Sequence, residues 1–152
     1  MVLLPAPTGV EDVWASILWI FNNIESLGGS CDRVVLGGLS AGANITATLV
    51  QRVKDTDFVS ICGQILRCPM VVHPVVHLPG MDFSSYEENV NAPILPSAAV
   101  TQFIEWYNPI PEDVRMSPLL ATDFCGLQPA YVQIAGADPL REDAFAYVEK
   151  LE

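Results

Sequence analysis

The feature that most constrains the fold is a change of pattern between residues 33 and 43. Residues 33–37 (RVVLG) have the composition of a short buried strand, and they run directly into the GxSxG segment Gly38-Leu39-Ser40-Ala41-Gly42. A helix is predicted from Ala41 to about Lys54. A strand that turns sharply into a helix holds the central serine exposed, so the pattern predicts Ser40 as a nucleophile.

Two further expectations follow from this turn. The backbone N–H of Ala41, at the start of the helix, should point at negative charge that develops beside Ser40, which makes it an oxyanion-hole donor. Glycine at Gly38 and Gly42 is expected to remove side chains that would collide where the strand reverses. An ordinary glycine turn without catalytic meaning is the alternative, but the preceding apolar strand and the following small residues favour the nucleophile.

Strands and helices alternate along the rest of the chain. Apolar residues at helical spacing predict a helix over residues 10–21, and further strands are predicted at 63–72 and 130–135, with a closing helix at 142–152. Strands that are apolar on both faces and alternate with helices indicate a mostly parallel sheet with helices on both faces. The predicted class is α/β, with residues 1–152 forming a single core.

Residues 73–111 are predicted to form a loop-rich insert. Seven of the twelve prolines lie between Pro69 and Pro111, and one helix is predicted at about 97–107. Long irregular inserts in compact domains are often lids or binding walls, and a surface excursion without function is the alternative.

An acidic residue, Asp138, follows the third predicted strand. In a sheet that carries a nucleophilic serine, an acid after a later strand is placed to orient a catalytic histidine. The alternative is structural: Asp138 followed by Pro139 is also a common helix start, with the aspartate as the N-cap. Asp143 is expected to be a first-turn or packing acid.

Together these segments resemble the hormone-sensitive-lipase group of α/β-hydrolases, also called α/β-hydrolase fold-3. The resemblance rests on the helix that begins at Val10, on residues 32–44 (DRVVLGGLSAGAN), on 116–121 (MSPLLA) and on 136–143 (GADPLRED). It implies a partial α/β-hydrolase fold in which Ser40 is the nucleophile and Asp138 the triad acid. It also implies hydrolysis of small-molecule carboxylic esters through an acyl-enzyme, without a metal or an organic cofactor.

The sequence departs from this family in two places. No HGGG-type oxyanion loop precedes Ser40, and the only two histidines, His73 and His77, lie before Asp138, whereas the family's histidine follows the acid. We therefore expect a domain truncated at both ends and inactive as an isolated chain, with an unpaired sheet edge that favours self-association. The alternative function is a non-catalytic binding protein, or pseudoenzyme, of the same fold.

The two histidines carry little further chemistry. Their His-x-x-x-His spacing fits a metal pair on a helix, but Pro74 lies between them and no third ligand is near, so no metal site is predicted. His73 as a substitute general base is the remaining alternative.

Charge and composition exclude other functions. A formal net charge of −11 repels phosphate backbones and anionic membranes, which argues against nucleic-acid binding. No apolar run is long enough to span a membrane, and the N-terminal residues lack the basic segment of a secretory signal. The four cysteines include no CxxC pair, which is typical of reduced thiols, so a cytoplasmic location is expected.

Overall fold

The sheet has three parallel strands. A computed structural model describes residues 5–152 and places the strands in the order β1 (Val35–Leu39), β2 (Gly63–Arg67), β3 (Ala130–Gln133). The register aligns Gly38 of β1 with Leu66 of β2, and Leu66 with Val132 of β3. The predicted α/β class with a parallel sheet is confirmed. Because the strands run in one direction, their carboxyl ends lie together at one edge of the sheet.

The four predicted helices are found in the predicted order, and a short fifth helix over Ser85–Glu88 was not predicted. The helix after the serine and the helix of the insert have the predicted bounds. The α-helices are α1 (Thr8–Asn23), α2 (Ala41–Lys54), α3 (Ser85–Glu88), α4 (Ser97–Tyr107) and α5 (Arg141–Leu151), and two short 3-10 helices cover Cys31–Arg33 and Pro118–Leu120. No helix among residues 5–152 is long and apolar enough to cross a membrane.

All three strands differ from their predicted bounds, and β3 ends at Gln133, two residues before its predicted end. β1 lies two residues further along the chain than predicted, because Cys31–Arg33 forms a 3-10 helix. β2 ends at Arg67, well before residue 72, because Cys68 has a left-handed φ of 44° and Pro69 has no N–H to continue the ladder. The residues beyond this break, including Val71 and Val72, are buried in the core.

The core lies on one side of the sheet. Apolar residues of α1 and α2 pack together around Trp14 and Leu49, and α2 and α5 both pack against Leu66 of the central strand. Along β2, Leu66 is fully buried whereas Ile65, which points to the opposite face, is 39% exposed. Tyr131, the partner of Ile65 on β3, is 62% exposed on that same face.

The insert folds back toward the sheet. Val100 and Ile104 of α4 pack against Met116 and Leu140. The sequence between α3 and α4 is turns and bends, as its proline content predicts. The insert therefore places an apolar helix near the residues that follow β1 and β3.

Candidate active site

Ser40 occupies a sharp strand-to-helix turn. Its backbone has φ 54° and ψ −117°, in a region that L-residues rarely adopt and that costs about 1–3 kcal/mol. The Ser40 N–H donates to the carbonyl of Arg67 at 2.8 Å, and the Ser40 carbonyl accepts from the N–H groups of Ala43 and Asn44 at 2.9 and 3.0 Å. The strained residue is thus bonded on one side to β2 and on the other to the first turn of α2.

The two glycines of the turn have different roles. A Cβ atom added at Gly38 would lie 2.2 Å from both the carbonyl carbon and oxygen of Gly42, and 2.6 Å from the nitrogen of Ala43. A Cβ atom added at Gly42 meets nothing within 4 Å. Our expectation for Gly42 was therefore wrong: its own side-chain space is open, and only Gly38 is required sterically for the close approach of β1 to α2.

Ala41 is the first residue of α2. At that position the backbone N–H has no intrahelical acceptor and lies at the positive end of the helix dipole. Ala41 is exposed and lines the same pocket as Ser40. It therefore has the location that a donor to an oxyanion beside Ser40 requires.

Asp138 lies after β3, at the carboxyl edge of the sheet that also carries Ser40. Its Oδ1 accepts a hydrogen bond from the N–H of Leu140 at 2.9 Å, which stabilises the turn into α5. The Asp138 carboxylate also lies near the thiol of Cys68, the residue that follows β2. Burial, and to a smaller extent this negative charge, raise the pKa of the Cys68 thiol. The N-cap role that we considered for Asp138 is not found, because α5 begins at Arg141 and its N-cap is Leu140. One carboxylate oxygen of Asp138 instead closes the turn that precedes the helix.

The turn that carries Asp138 is anchored by the insert. The Ser85 hydroxyl, fully buried, donates to the carbonyl of Pro139 at 2.6 Å, and the Ser85 N–H donates to Oε2 of Glu142 at 2.9 Å. Asn89 adds a longer bond, 3.4 Å, from Nδ2 to the carbonyl of Asp138. No sequence pattern predicts these contacts, because Ser85 is an ordinary polar residue in a proline-rich segment.

A pocket of about 210 Å³ opens beside Ser40. None of its lining residues is charged, and α4 supplies an apolar wall. The lining comprises Gly9, Ser40, Ala41, Asn44, Ile45, Met70, Leu95, Val100, Phe103, Ile104, Tyr107, Met116 and Leu140. Such a pocket suits an uncharged, apolar group held next to the serine hydroxyl.

Asp143 is fully buried, as expected of a packing acid. Its Oδ2 accepts from the N–H of Val71 at 3.2 Å, and its Oδ1 has no hydrogen-bond partner within residues 5–152. Burial raises the pKa of this carboxyl well above its ordinary value, in spite of the backbone hydrogen bonds that favour the charged form. Asp143 thereby holds the segment that follows β2.

Neither histidine lines the pocket beside Ser40. His73 is buried, and its Nδ1 accepts a hydrogen bond from the N–H of Val75 at 3.2 Å. With Nδ1 so occupied, the neutral ring carries its proton on Nε2 and has no free nitrogen to take a proton from Ser40. Burial also lowers the pKa of His73, against an opposing effect of Glu112, and His77 is exposed. Residues 5–152 contain no cluster of three potential metal ligands.

Comparison with known proteins places this geometry in a family. The profile of the alpha/beta hydrolase fold family (Abhydrolase_3) matches residues 4–152, and the chain belongs to this family. Carboxylesterase NlhH of Mycobacterium tuberculosis is 34% identical over 97% of this chain, which spans 46% of that protein. Esterase LipI of the same organism is also 34% identical, over 97% of this chain and 45% of its own length.

Solved structures are similar over the same extent. Vibralactone cyclase superposes with a TM-score of 0.92 at 30% identity, over 97% of this chain and 45% of that structure's chain. A bacterial heroin esterase has a TM-score of 0.85 at 28% identity, with 97% and 47% coverage. The chain therefore spans about half the length of the relatives it matches.

Proposed function

We propose that this chain carries the nucleophile and the acid of a carboxylic-ester hydrolase that works through an acyl-enzyme. Ser40 attacks the ester carbonyl, the N–H of Ala41 stabilises the oxyanion, and the carboxylate of Asp138 orients an imidazole. The strained backbone of Ser40 is the single observation that most supports this proposal, because a purely structural turn has no need to keep a serine at φ 54°. The names of its carboxylesterase relatives support the same chemistry.

The uncharged pocket beside Ser40 supports a neutral substrate. An apolar acyl or alcohol group placed there would lose water without leaving a charge or polar group unpaired. We propose small, neutral esters as the substrate class, with no metal or organic cofactor taking part.

We further propose that the isolated 152-residue polypeptide does not turn over esters. Loss of one oxyanion donor costs about 10²- to 10³-fold in turnover, and loss of the triad histidine costs on the order of 10⁶-fold. The sequence contains no HGGG loop, and neither of its two histidines lines the pocket beside Ser40. Retained Ser40 and Asp138 cannot compensate, because an acid with no imidazole to orient leaves the hydroxyl protonated.

Turnover is tested with an activated ester and three purified proteins: the natural chain, Ser40→Ala and His73→Ala. We expect equal rates for all three. A rate lost in both variants would contradict the proposal and identify His73 as the base. A rate lost only in Ser40→Ala would also contradict it, and would mean that a second molecule supplies the base.

The nucleophile is tested separately by stoichiometric labelling. A fluorophosphonate needs only one reaction per molecule, so intact-mass measurement after a long incubation detects reactivity far below a turnover assay. We expect a single adduct at Ser40 that is absent from Ser40→Ala. No adduct, or an adduct at a tyrosine or cysteine in both proteins, would favour the alternative of a non-catalytic binding protein that uses the same apolar pocket.

We also propose that isolated chains associate through the exposed edge of β1. β1 has only one neighbouring strand within residues 5–152, and Val35 (47% exposed) and Leu39 (56% exposed) lie uncovered on the sheet face that also carries Ile65. Unpaired apolar edges recruit other chains. Sedimentation of the natural chain at about 10–50 µM, in the range where exposed edges aggregate, should show oligomers. Val35→Lys should reduce the oligomer fraction. Val90→Lys, at an exposed position outside the sheet, should leave it unchanged. A stable monomer of the natural chain would contradict this.

A further inference from the structure

Asn44 lies one helical turn after Ser40 and joins helix α2 to two other segments. It is 4% exposed, and its single amide nitrogen donates to the carbonyl of Met70 and to the carbonyl of Met116, each at 2.7 Å. An uncharged amide is suited to this task, because its NH₂ group has two donors in one plane. Aspartate in its place would have none when ionised, and would face two carbonyl oxygens.

The two segments that Asn44 holds form walls of the pocket beside Ser40. Met70 and Met116 both line that pocket, as does Asn44 itself. The segments are also bonded to each other, by the N–H of Leu119 to the carbonyl of Val71 and by the N–H of His73 to the hydroxyl of Ser117, each at 2.9 Å. They therefore move as one unit, and Asn44 fixes that unit to the helix whose first turn begins at the nucleophile.

We propose that Asn44 is a positioning residue that sets how long an apolar group the pocket accepts, by fixing Met70 and Met116 relative to Ser40. This inference rests on the proposed function, since it takes the pocket to be the site for the apolar part of an ester. Methionine side chains are unbranched and adapt their shape to a ligand. The width of the pocket between Met70 and Met116 is therefore set mainly by the positions of their backbones, which the hydrogen bonds from Asn44 hold in place. The amide supplies both anchors at once.

The test measures ligand length instead of turnover. A series of methyl ketones from 2-butanone to 2-decanone presents a carbonyl and an alkyl chain without a scissile bond, and ligand-observed NMR gives each Kd. In the natural chain, affinity should rise by about fourfold per added methylene until the pocket is filled, and then level off. Asn44→Leu, of similar size but without donors, should move that limiting length by at least two methylenes or reduce the increment to below about twofold.

A matched control is available on the same helix. The Thr48 hydroxyl donates to the carbonyl of Arg115 at 3.3 Å, next to Met116, and Thr48 does not line the pocket. Thr48→Val removes a bond between the same two segments and should leave the length profile unchanged. If Thr48→Val changed the limiting ligand length as much as Asn44→Leu does, the inference would be overturned, because loss of any bond between α2 and the Met116 segment would then produce the effect.

The outcomes separate this inference from the proposed function. If the natural chain shows no dependence on ligand length, the pocket assignment itself fails. If it shows the dependence and Asn44→Leu keeps the same limiting length, the role of Asn44 is refuted while the pocket stands. Should Asn44→Leu fail to fold by circular dichroism, Asn44→Ser, which retains one donor, decides the question: an unchanged limiting length in that variant refutes the role equally.

Discussion

Gly38→Ala is the sharpest test of the turn that holds Ser40. The added methyl group would lie 2.2 Å from two backbone atoms of Gly42 and 2.6 Å from a third in Ala43, where ordinary contacts begin near 3.4 Å. Gly38 belongs to β1 and does not have a left-handed φ, so alanine brings no conformational penalty of its own. The expected destabilisation is therefore entirely steric. The atoms that clash belong to the backbone, which cannot relieve the contact by a change of rotamer.

Relief of this clash requires β1 and α2 to move apart by roughly an ångström. Overpacking at sites that can partly relax costs about 1–3 kcal/mol, so we expect the free energy of unfolding to fall by about 3 kcal/mol or more. For a domain of this size each kcal/mol corresponds to about 2–4 °C in Tm, so the midpoint should fall by about 6–12 °C. That is a large part of the stability of an ordinary domain, about 5–15 kcal/mol.

Gly42→Ala is the matched control, four residues away. Its added methyl group meets nothing, and alanine in place of glycine within a helix stabilises by about 0.5–1 kcal/mol. Urea denaturation followed by tryptophan fluorescence, to which Trp14 packed against α2 contributes, measures both variants. A Gly38→Ala protein within about 1 kcal/mol of the natural chain, or a Gly42→Ala protein destabilised as much, would refute the close approach of β1 to α2.

Two further predictions concern backbone strain and buried charge. Ser40→Gly should raise the free energy of unfolding by about 0.5–2 kcal/mol, which is the relieved backbone strain minus the entropic cost of glycine. Ser40→Ala keeps the Cβ atom and should bring no such gain. Equal gains in the two variants would contradict the strain at Ser40. Because burial raises the folded-state pKa of Asp143 above 3.8, the unfolded state binds fewer protons and the natural chain should lose stability as pH rises above about 4. Asp143→Asn removes this pH dependence. Denaturation at pH 5 and pH 8 should therefore show that the free energy of unfolding of the natural chain falls, relative to that of the variant, by up to about 1.4 kcal/mol per pH unit. Parallel stability profiles for the two proteins would contradict the raised pKa of Asp143.

The elbow was predictable because its determinants are local. An apolar strand, a glycine two residues before the serine and a helix that starts at Ala41 all lie within about ten residues, and the predicted bounds of α2 hold. The parallel sheet was predictable for a similar reason, since apolar strands separated by helices have few other ways to pair. Gly42 shows the limit of such reasoning: it matches the motif, but its own side-chain space is open.

The remainder depends on contacts between distant parts of the chain. β2 stops at Arg67 because Cys68 adopts a left-handed conformation, which is no property of cysteine in isolation. Ser85 anchors the turn after Asp138 across more than fifty residues, and Asn44 reaches Met116 across a longer span. Serine in a loop and asparagine in a helix are common, so neither stands out until the fold brings its partners within 3 Å.

The two halves of the candidate chemistry are supported in different ways. The conformation of Ser40 is held by its hydrogen bond to the carbonyl of Arg67 and by the close approach of Gly38 to Gly42. These residues belong to β1, β2 and α2, the elements that lie next to the serine in space. The turn of Asp138 needs Ser85 of the insert. The contacts that maintain the strain at Ser40 therefore include no catalytic base. Labelling at Ser40 without turnover is the combined result that follows from this arrangement. Turnover without labelling would show that Ser40 is not the nucleophile.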